Sequence, residues 1–420
     1  MTDPIMKFNT AHYIQLAKEY GTPLYIYDQS VIQQHIYSLK QHLHPAVQLF
    51  YSMKANPNPS IIKTIYEEQV NVEICSPYEL EIALAAGVSP RHMMYLGPNK
   101  SEEEITSIIE KNIKYFIVES IQEIQTVQRI AKNKNITVCI GIRFNPKSSA
   151  HGARLKMGGT ARQFGIDETT LVQTISTAKS LSHVHICGLH SYHGTRILNA
   201  DTIADNMKNI LHIADRLQVE QHIELQYVGL GGGFGIPYYD KESPLPLAQL
   251  TKQITPEIET YLQRYPNTQL LAESGRFLVA LSGTYVSQVR YLKQSQSTHF
   301  AMIDGGIHHH AAAGGVGMIR KQHFPIQLLT ENDRDRSNHK DYHIAGPLCT
   351  PDDVVAKNIT LPELRVGDYI AITHSGAYGL TFSPILFLSH RLPREVLIYQ
   401  DKHVMIRDHN EYMFPTIRTL

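Results

Sequence analysis

The sequence is organised around the segment FYSMKAN, residues 50–56, in which a short apolar run ends in a lysine. The run indicates a buried strand, and the Asn-Pro-Asn-Pro that follows it indicates the start of a helix. An ammonium group at the end of a buried strand loses much of its hydration unless it is paired or neutralised. Lys54 is therefore either a side chain that reaches solvent, or an amine of lowered pKa that bonds to an aldehyde.

On either side of this segment, apolar runs alternate with helical patterns. Strands that alternate with helices predict parallel pairing through right-handed crossovers. Eight units over about 230 residues predict a (β/α)8 TIM barrel, an α/β fold, with an open doubly wound sheet as the alternative. The runs lie at 47–53, 70–76, 92–98, 114–120, 137–145, 184–192, 224–232 and 269–275, and helices are predicted between them at 61–68, 79–86, 102–111, 121–131, 169–181, 202–217 and 247–265.

Beyond about residue 280, helical periodicity gives way to short alternating runs separated by turn residues such as Gly305-Gly306 and Gly367-Asp368. This pattern predicts a mostly antiparallel β domain. The short strand near Tyr25 follows a helix at 10–20 and exceeds the barrel's strand count, so we assign it to the β domain. The predicted domains are a barrel at 29–280 and a β domain formed by 1–28 and 281–420.

The composition is that of an ordinary globular protein: 420 residues, 42% hydrophobic, with Lys+Arg and Asp+Glu equal at 39 each. Zero formal charge gives no electrostatic reason to expect nucleic acid or an anionic membrane as a partner. The first residues lack the features of a signal peptide. The cysteines are scattered without a CxxC pair, which predicts a cytoplasmic location without disulfides or zinc; they are Cys75, Cys139, Cys187 and Cys349.

Polar and glycine residues lie where the predicted barrel strands end. The carboxyl ends of barrel strands share one face, and TIM-barrel enzymes have their active sites on that face. We therefore expect these residues to lie together. They are Lys54, Glu73, Ser76, Arg143, the segment Tyr192-His193-Gly194-Thr195, the glycines of 231–235, and Glu273-Ser274-Gly275-Arg276.

The glycine run GLGGGFG, residues 229–235, allows backbone N–H groups to approach an anion closely, although such runs also occur as plain turns. It lacks the spacing of a nucleoside-triphosphate loop. With Arg276 nearby, it predicts a site for one phosphate monoester. Lysine, phosphate site and the carboxylate of Glu273 together suit pyridoxal 5′-phosphate, because the lysine can hold the aldehyde and the carboxylate can keep the ring nitrogen protonated.

The motifs YSMKAN, GLGGGFG, ESGR, GPLCTPDD and SGAYG resemble those of the fold-type III pyridoxal-phosphate decarboxylases, which include the diaminopimelate and ornithine decarboxylases. The resemblance spans residues 51–379 and implies an alanine-racemase-like barrel with a C-terminal β domain. It makes Lys54 the Schiff-base lysine and Glu273 the partner of the pyridinium nitrogen. Further cofactor contacts are implied for Glu73, Arg143, Tyr192, Thr195, Gly231, Gly232, Gly233, Gly275, Arg276 and Tyr378.

The resemblance also implies that Cys349 comes from a second subunit and protonates the substrate carbanion, so that a homodimer shares two active sites. Cys349 lies in a polar, turn-rich loop, which suits a positioned acid better than a core thiol, and an acid of this kind is worth about 10²–10⁴ in rate. A buried, inert thiol is the alternative here, and it is the favoured interpretation for the other three cysteines.

Four positions depart from the diaminopimelate and ornithine enzymes. Tyr192 replaces a histidine, Ser274 a proline and Glu73 an aspartate. Thr350 replaces the acid that binds the distal amine of the substrate, and a threonine cannot pair with an ammonium in that way. The following acids, Asp352 and Asp353, are the predicted substitutes.

These departures make the motif set most similar to the branch of the family that includes the glutamyl-carrier-protein decarboxylase of butirosin biosynthesis. The resemblance implies an acidic substrate tethered to an acyl carrier protein. Decarboxylation of free diaminopimelate or another diamino acid is the main alternative, and a racemase, an inactive regulatory homologue and a cofactor-homeostasis protein are further ones. The run His308-His309-His310 is not expected to bind metal, because consecutive residues of a strand point to opposite faces.

Overall fold

The computed structural model describes residues 10–147, 155–156, 161, 163–239, 241–315, 323–330, 337–400 and 402–409. The chain forms two compact units. One consists of Gln33–Pro237 and Glu242–Leu278, and the other of the described parts of Met1–Ile32, Tyr238–Lys241 and Val279–Leu420.

The first unit contains the predicted barrel. Eight parallel strands pair in sequence order, and pairing of the last with the first closes the sheet, which excludes the open alternative. The strands are Val47–Ser52, Asn71–Ile74, Met93–Tyr95, Tyr115–Val118, Val138–Asn145, Val184–His190, Tyr227–Gly229 and Gln269–Ser274. Short strands at Leu155–Lys156, Ile166–Asp167 and Gly194–Thr195 extend the loops at its carboxyl end.

The barrel helices begin at the residues that sequence signals indicate. Asn58, Ser76 and Ser120 each accept a backbone N–H at a helix start, and Ser101 forms a capping box with Glu104. The helices are Pro59–Glu67, Pro77–Ala85, Glu102–Glu110, Ile121–Asn133, Glu168–Lys179, Ala200–Gln221 and Leu247–Arg264. A further helix, Gln29–His42, precedes the first barrel strand and was not among the predicted elements.

The barrel interior is filled by large side chains, among them Phe50, Tyr115 and Tyr227. Tyr227 lies against two glycines on neighbouring strands. A Cβ atom at Gly141 would lie 2.5 Å from the Tyr227 hydroxyl, and one at Gly188 would lie 2.1 Å from the ring. The two glycines therefore provide the space that this tyrosine occupies.

The second unit is built on a nine-stranded sheet with six antiparallel and two parallel pairings. Its strands are Leu24–Asp28, Gly283–Ser295, Thr298–Ile303, Ile326–Leu329, His339–Ala345, Val354–Pro362, Tyr369–Ile372, Arg394–Tyr399 and Lys402–Arg407. Leu24–Asp28 pairs with two of them, in the sheet to which the sequence assigns it. The helix Thr10–Tyr20 packs Tyr13, Leu16 and Ala17 into the core of this unit.

Two features of the fold differ from the predictions. The segment Ile307–His310, interpreted as part of a strand, is a short buried helix. Cys139 and Cys187, predicted to be separate inert thiols, form a disulfide bond between the fifth and sixth barrel strands. The prediction was wrong because the two cysteines are 48 residues apart, and only the pairing of the strands brings their Cα atoms to 5.5 Å. No described helix is both long and apolar enough to cross a membrane.

Candidate active site

Lys54 lies at the carboxyl end of the first barrel strand, in the one-turn helix Met53–Ala55. Its Nζ atom is 2.8 Å from Oε1 of Glu73, which is the penultimate residue of the next strand and is fully buried. Ser52 Oγ donates a hydrogen bond to the other carboxylate oxygen, and the Cys75 thiol donates to Oε1 at 3.2 Å. The lysine that organises the sequence is therefore held by a buried carboxylate.

Burial and pairing act in opposite directions on Glu73. Burial alone would raise its pKa, but the Lys54 ammonium and hydrogen bonds from Lys54, Ser52 and Cys75 outweigh burial and lower the pKa to about 2. Burial also raises the pKa of the Cys75 thiol. The lysine thus has an ionised carboxylate as its partner, and Cys75 is a protonated donor to that carboxylate.

The last barrel strand brings Glu273 to the same end of the barrel, where its carboxylate is hydrogen-bonded to Nε2 of His190. His190 ends the sixth strand and is completely buried. His193, three residues later, is also buried; burial, with a smaller effect of His190, lowers the pKa of its imidazole to about 4. Sequence reasoning missed His190, although its position at a strand end was a usable signal.

The glycine run forms a tight loop against Glu273. Gly231 and Gly233 have left-handed backbones, with φ of 69° and 88°. A Cβ atom at Gly232 would lie 1.8 Å from the carbonyl oxygen of Glu273, so the loop permits only glycine there. A glycine loop with left-handed backbone at the end of a barrel strand is of the kind whose N–H groups bind an anionic group at close range.

The neighbouring predicted residues lie at the same end of the barrel. Gly275 packs on the turn that carries Lys54, because a Cβ atom at Gly275 would lie 3.0 Å from Cβ of Ala55. Arg276, half-buried, begins the helix Arg276–Val279. Tyr192 and Thr195 are half-buried in the loop that follows the sixth strand.

Arg143, at the end of the fifth strand, is buried and forms an ion pair of 2.7 Å with Glu119. Its guanidinium also lies 5.0 Å from the centre of the Phe164 ring, and Glu119 accepts a second hydrogen bond from the backbone of Gly165. The sequence did not identify Glu119 as Arg143's partner, although it directly follows the strand Tyr115–Val118.

These residues fit a phosphorylated aldehyde cofactor with a basic ring nitrogen. The amine of Lys54, the carboxylate of Glu273 and the glycine loop supply the three groups that such a cofactor needs. Within the described part of the chain, several buried polar atoms at this end of the barrel also have no protein hydrogen-bond partner: Ser191 Oγ, Ser274 Oγ and His193 Nε2. A ligand with polar groups would satisfy them.

Comparison with known proteins decides the family. The pyridoxal-binding domain of pyridoxal-dependent decarboxylases matches residues 29–280. The chain belongs to this decarboxylase family. It is 35% identical over 404 residues to the L-glutamyl-[BtrI acyl-carrier protein] decarboxylase of Niallia circulans, covering 96% of this chain and 94% of that protein.

Diaminopimelate decarboxylases are more distant relatives. The enzyme of Aquifex aeolicus is 28% identical over 405 residues, an alignment that covers 95% of this chain and 91% of that enzyme. The crystal structure of the Helicobacter pylori enzyme complexed with L-lysine superposes with a TM-score of 0.84 at 28% identity, covering 94% of this chain and 96% of that one. The protein is thus a pyridoxal-phosphate-dependent decarboxylase, a carbon–carbon lyase with an amino-acid substrate.

In the second unit of the decarboxylase, Cys349 is an exposed free thiol. Thr350 follows it, half-buried, and Asp352 is exposed. Asp353, predicted to bind substrate, is 2% exposed, and its two oxygens accept the backbone N–H groups of Ile307 and Leu348, each at 2.8 Å. This prediction needs correction, because these bonds commit the carboxylate to holding the cysteine loop in shape.

Two other predictions concern the second unit. Tyr378 is half-buried and has a left-handed backbone, with φ of 55°, which is uncommon for a tyrosine and occurs more often at functional sites. The three consecutive histidines are buried, and burial lowers the pKa of His309 and His310 to about 3. Among the described residues, no group of three or more His, Cys, Asp or Glu side chains has an arrangement that could hold a metal ion.

Proposed function

We propose that this decarboxylase removes the α-carboxylate of an acidic amino acid, glutamate, carried as a thioester on an acyl carrier protein. The observation that carries the proposal is the cysteine loop, residues 346–353. Its residue after the cysteine is the neutral Thr350, and its buried acid, Asp353, is engaged by two backbone amides. Only Asp352 remains in the loop as an acid for a substrate ammonium, so the loop suits a substrate without a distal positive charge.

Sequence identity to characterised relatives also supports a carrier-bound glutamate as the substrate. The glutamyl-carrier-protein decarboxylase of Niallia circulans is 35% identical to this chain, whereas the Aquifex diaminopimelate decarboxylase is 28% identical over a similar length. α-Decarboxylation needs a free α-amine and a free α-carboxylate. The thioester must therefore be made through the side-chain carboxyl group, and the product is a 4-aminobutyryl thioester.

The cofactor, when bound, accepts the electron pair that the departing carbon dioxide leaves behind. Lys54 would hold the cofactor through its aldehyde group. Glu73 places a negative charge next to Nζ of Lys54, and Glu273, fixed by His190, would keep the ring nitrogen of the cofactor protonated. We assign the other cofactor contacts to Arg143, Tyr192, Thr195, Gly231, Gly232, Gly233, Gly275, Arg276 and Tyr378.

We also propose that the enzyme is a homodimer in which Cys349 of one subunit donates the proton to the substrate carbon held by the other. Family resemblance and the exposed position of the thiol support this assignment. Co-expression of the Lys54→Ala and Cys349→Ala chains tests it. If the sites are shared, mixed dimers contain one intact site, and a random mixture recovers about a quarter of the wild-type activity. Recovery no greater than the sum of the separate variants would count against sharing.

The substrate is tested by measuring carbon dioxide release from the pyridoxal-phosphate-loaded enzyme. Glutamate on a phosphopantetheinylated carrier protein is compared with free glutamate, meso-diaminopimelate, lysine, ornithine and arginine. Release from the carrier-bound substrate alone supports the proposal. Release from a free diamino acid would instead assign the enzyme to the alternative, free diamino-acid decarboxylation.

A Thr350→Asp variant sharpens this test. The new carboxylate follows Cys349 and would offer the ion pair that the wild type lacks. We expect the variant to lose preference for the carrier-bound substrate and to gain measurable turnover of diaminopimelate. Thr350→Ser is the matched control, because it keeps a neutral hydroxyl group.

A cytoplasmic location remains part of the proposal. It rests on the scatter of the cysteines without a CxxC pair, and the Cys139–Cys187 bond weakens that argument, because disulfides are rare in cytosolic proteins. Fractionation of the source cells, combined with thiol alkylation before lysis, tests both the cytoplasmic location and the Cys139–Cys187 bond. Enzyme found in the cytoplasmic fraction with Cys139 and Cys187 protected from alkylation would support both.

A further inference from the structure

The opposite end of the barrel, where its strands begin, contains a cavity of about 490 Å³. Lys40 and His44 line it from the helix before the first strand and the loop after that helix, Arg91 and His92 from the short helix before the third strand, and Lys114 from just before the fourth. No aspartate or glutamate is among the described residues that line it. The cavity is distinct from the cofactor site, since Lys54 lies at the other end of the same strands.

The floor of the cavity is a network of neutral groups. The Tyr115 hydroxyl donates to Oε1 of Gln269 at 2.8 Å, and Lys114 Nζ donates to the same oxygen at 3.1 Å. The Asn71 amide donates to Gln48 at 3.4 Å. Amide oxygens orient the lysine without neutralising its charge. Within the described chain, neither Arg91 nor Lys114 forms an ion pair with a carboxylate.

The cations therefore repel one another. Burial lowers the pKa of Lys114, and the neighbouring Arg91 guanidinium lowers it further. Burial also lowers the pKa of Lys40, against the opposing effect of Glu68, whose carboxylate is bound by Gln33. Lys40 donates to the backbone carbonyls of Glu68 and Gln69, which fixes it at the cavity edge. The cluster has positive charge that the protein leaves uncompensated, in a cavity of ligand size.

We propose that this cavity is a binding site for a small molecule that carries two or more negative charges, of the pyrophosphate or polycarboxylate class. The Arg91 guanidinium offers a planar fork that binds two oxygens of such a group, and Lys114 and Lys40 add point charges beside it. Binding would neutralise the repulsion within the cluster. The proposal does not depend on which amino acid the enzyme decarboxylates.

The experiment is a calorimetric titration of pyridoxal-phosphate-loaded protein, in magnesium-free buffer at low salt, with inorganic pyrophosphate and, separately, with citrate. Loading with the cofactor fills the phosphate site at the other end of the barrel. The test variants are Arg91→Gln and Lys114→Gln, which lie outside the catalytic residues. The control is Lys63→Gln, which removes the same charge from the outer surface of the helix Pro59–Glu67.

We expect the wild type and the Lys63→Gln variant to bind at least one probe, with an affinity that falls as salt is added. Each test variant should weaken binding about tenfold or more, because each removes a charge-assisted hydrogen bond. The bound probe should also raise the unfolding temperature of the wild type and of Lys63→Gln by more than that of the two test variants. Preference for pyrophosphate or for citrate distinguishes the phosphate and carboxylate classes. Absence of binding by both probes, or equal binding by all three variants, would overturn the proposal.

Discussion

The two ends of the barrel differ in whether their charged side chains are paired with opposite charges. At the carboxyl end of the strands, buried ions are paired, as in Arg143 with Glu119 and Lys100 with Glu123, at 2.7 Å each. At the amino end, Arg91 and Lys114 are exposed, and within the described chain neither forms an ion pair with a carboxylate. A fully buried ion needs an opposite charge, whereas a largely exposed cation keeps most of its hydration and remains available to an external anion. Removal of a charge should therefore have different consequences at the two ends.

The largest effect is expected for Lys54. Lys54→Ala should abolish decarboxylation and release the cofactor on dialysis, with loss of its visible absorbance, because it removes the amine that holds the aldehyde. Lys54→Arg should be equally inactive, but it retains a cation beside the buried Glu73 and should unfold at a higher urea concentration than Lys54→Ala. Visible absorbance that survives dialysis of Lys54→Ala would contradict the assignment.

Glu119→Gln should cost about 3 kcal/mol of unfolding free energy, because it leaves the buried Arg143 without its counter-charge. Urea unfolding measures this change. The matched control is Glu102→Gln, which breaks the exposed pair with Arg129 and should leave the midpoint unchanged. Equal shifts in the two variants would mean that burial does not distinguish the pairs.

His193 makes the carboxyl end sensitive to acid. Its pKa is about 4 in the folded protein and about 6.5 unfolded, so stability is complete above pH 6.5 and is lost as the pH falls towards 4. His193→Gln should remove about 2 kcal/mol of the destabilisation between pH 7 and pH 5. Urea midpoints of both proteins at the two pH values test this, and parallel losses would disprove it.

The smallest effect, with the opposite sign, is expected at the amino end. Lys114→Gln should leave the unfolding free energy unchanged or raise it by up to about 0.5 kcal/mol, because it relieves repulsion from Arg91. Lys63→Gln is again the control. A clear loss of stability in Lys114→Gln would show that this lysine has an uncharacterised stabilising role, and would remove the contrast between the two ends.

The sequence predicted those parts of the fold that follow from local patterns. All eight barrel strands, the seven helices predicted between them and the helix at 10–20 are present, because strand and helix periodicities and serine or asparagine caps depend on residues close together in the sequence. The helix Gln29–His42 was missed despite apolar residues at Val31, Ile32, Ile36 and Leu39, spaced as on one helix face. In the β domain the sequence predicted the type of sheet without bounds for every strand, since the alternation is weak in segments such as Ile326–Leu329 and Val354–Pro362.

The active site, too, could be predicted from the sequence only in part. Lys54, Glu73 and Glu273 could be placed at one end of the barrel because each lies near the end of a strand. Their partners could not be deduced, since contacts such as that between His190 and Glu273 join positions 83 residues apart. The same holds for the Cys139–Cys187 bond, and for Asp353, whose backbone partners are set by the fold of the loop.

The tyrosine inside the barrel also constrains how this sequence can evolve. Gly141 and Gly188 lie on adjacent strands, and a side chain at either would occupy the volume of Tyr227. A side chain at Gly188 is therefore excluded while the tyrosine is present, and one at Gly141 is opposed both by the tyrosine and by Ile117, whose Cδ1 atom would lie 2.7 Å from the new Cβ atom. The three positions should change in a fixed order during divergence, with the tyrosine first.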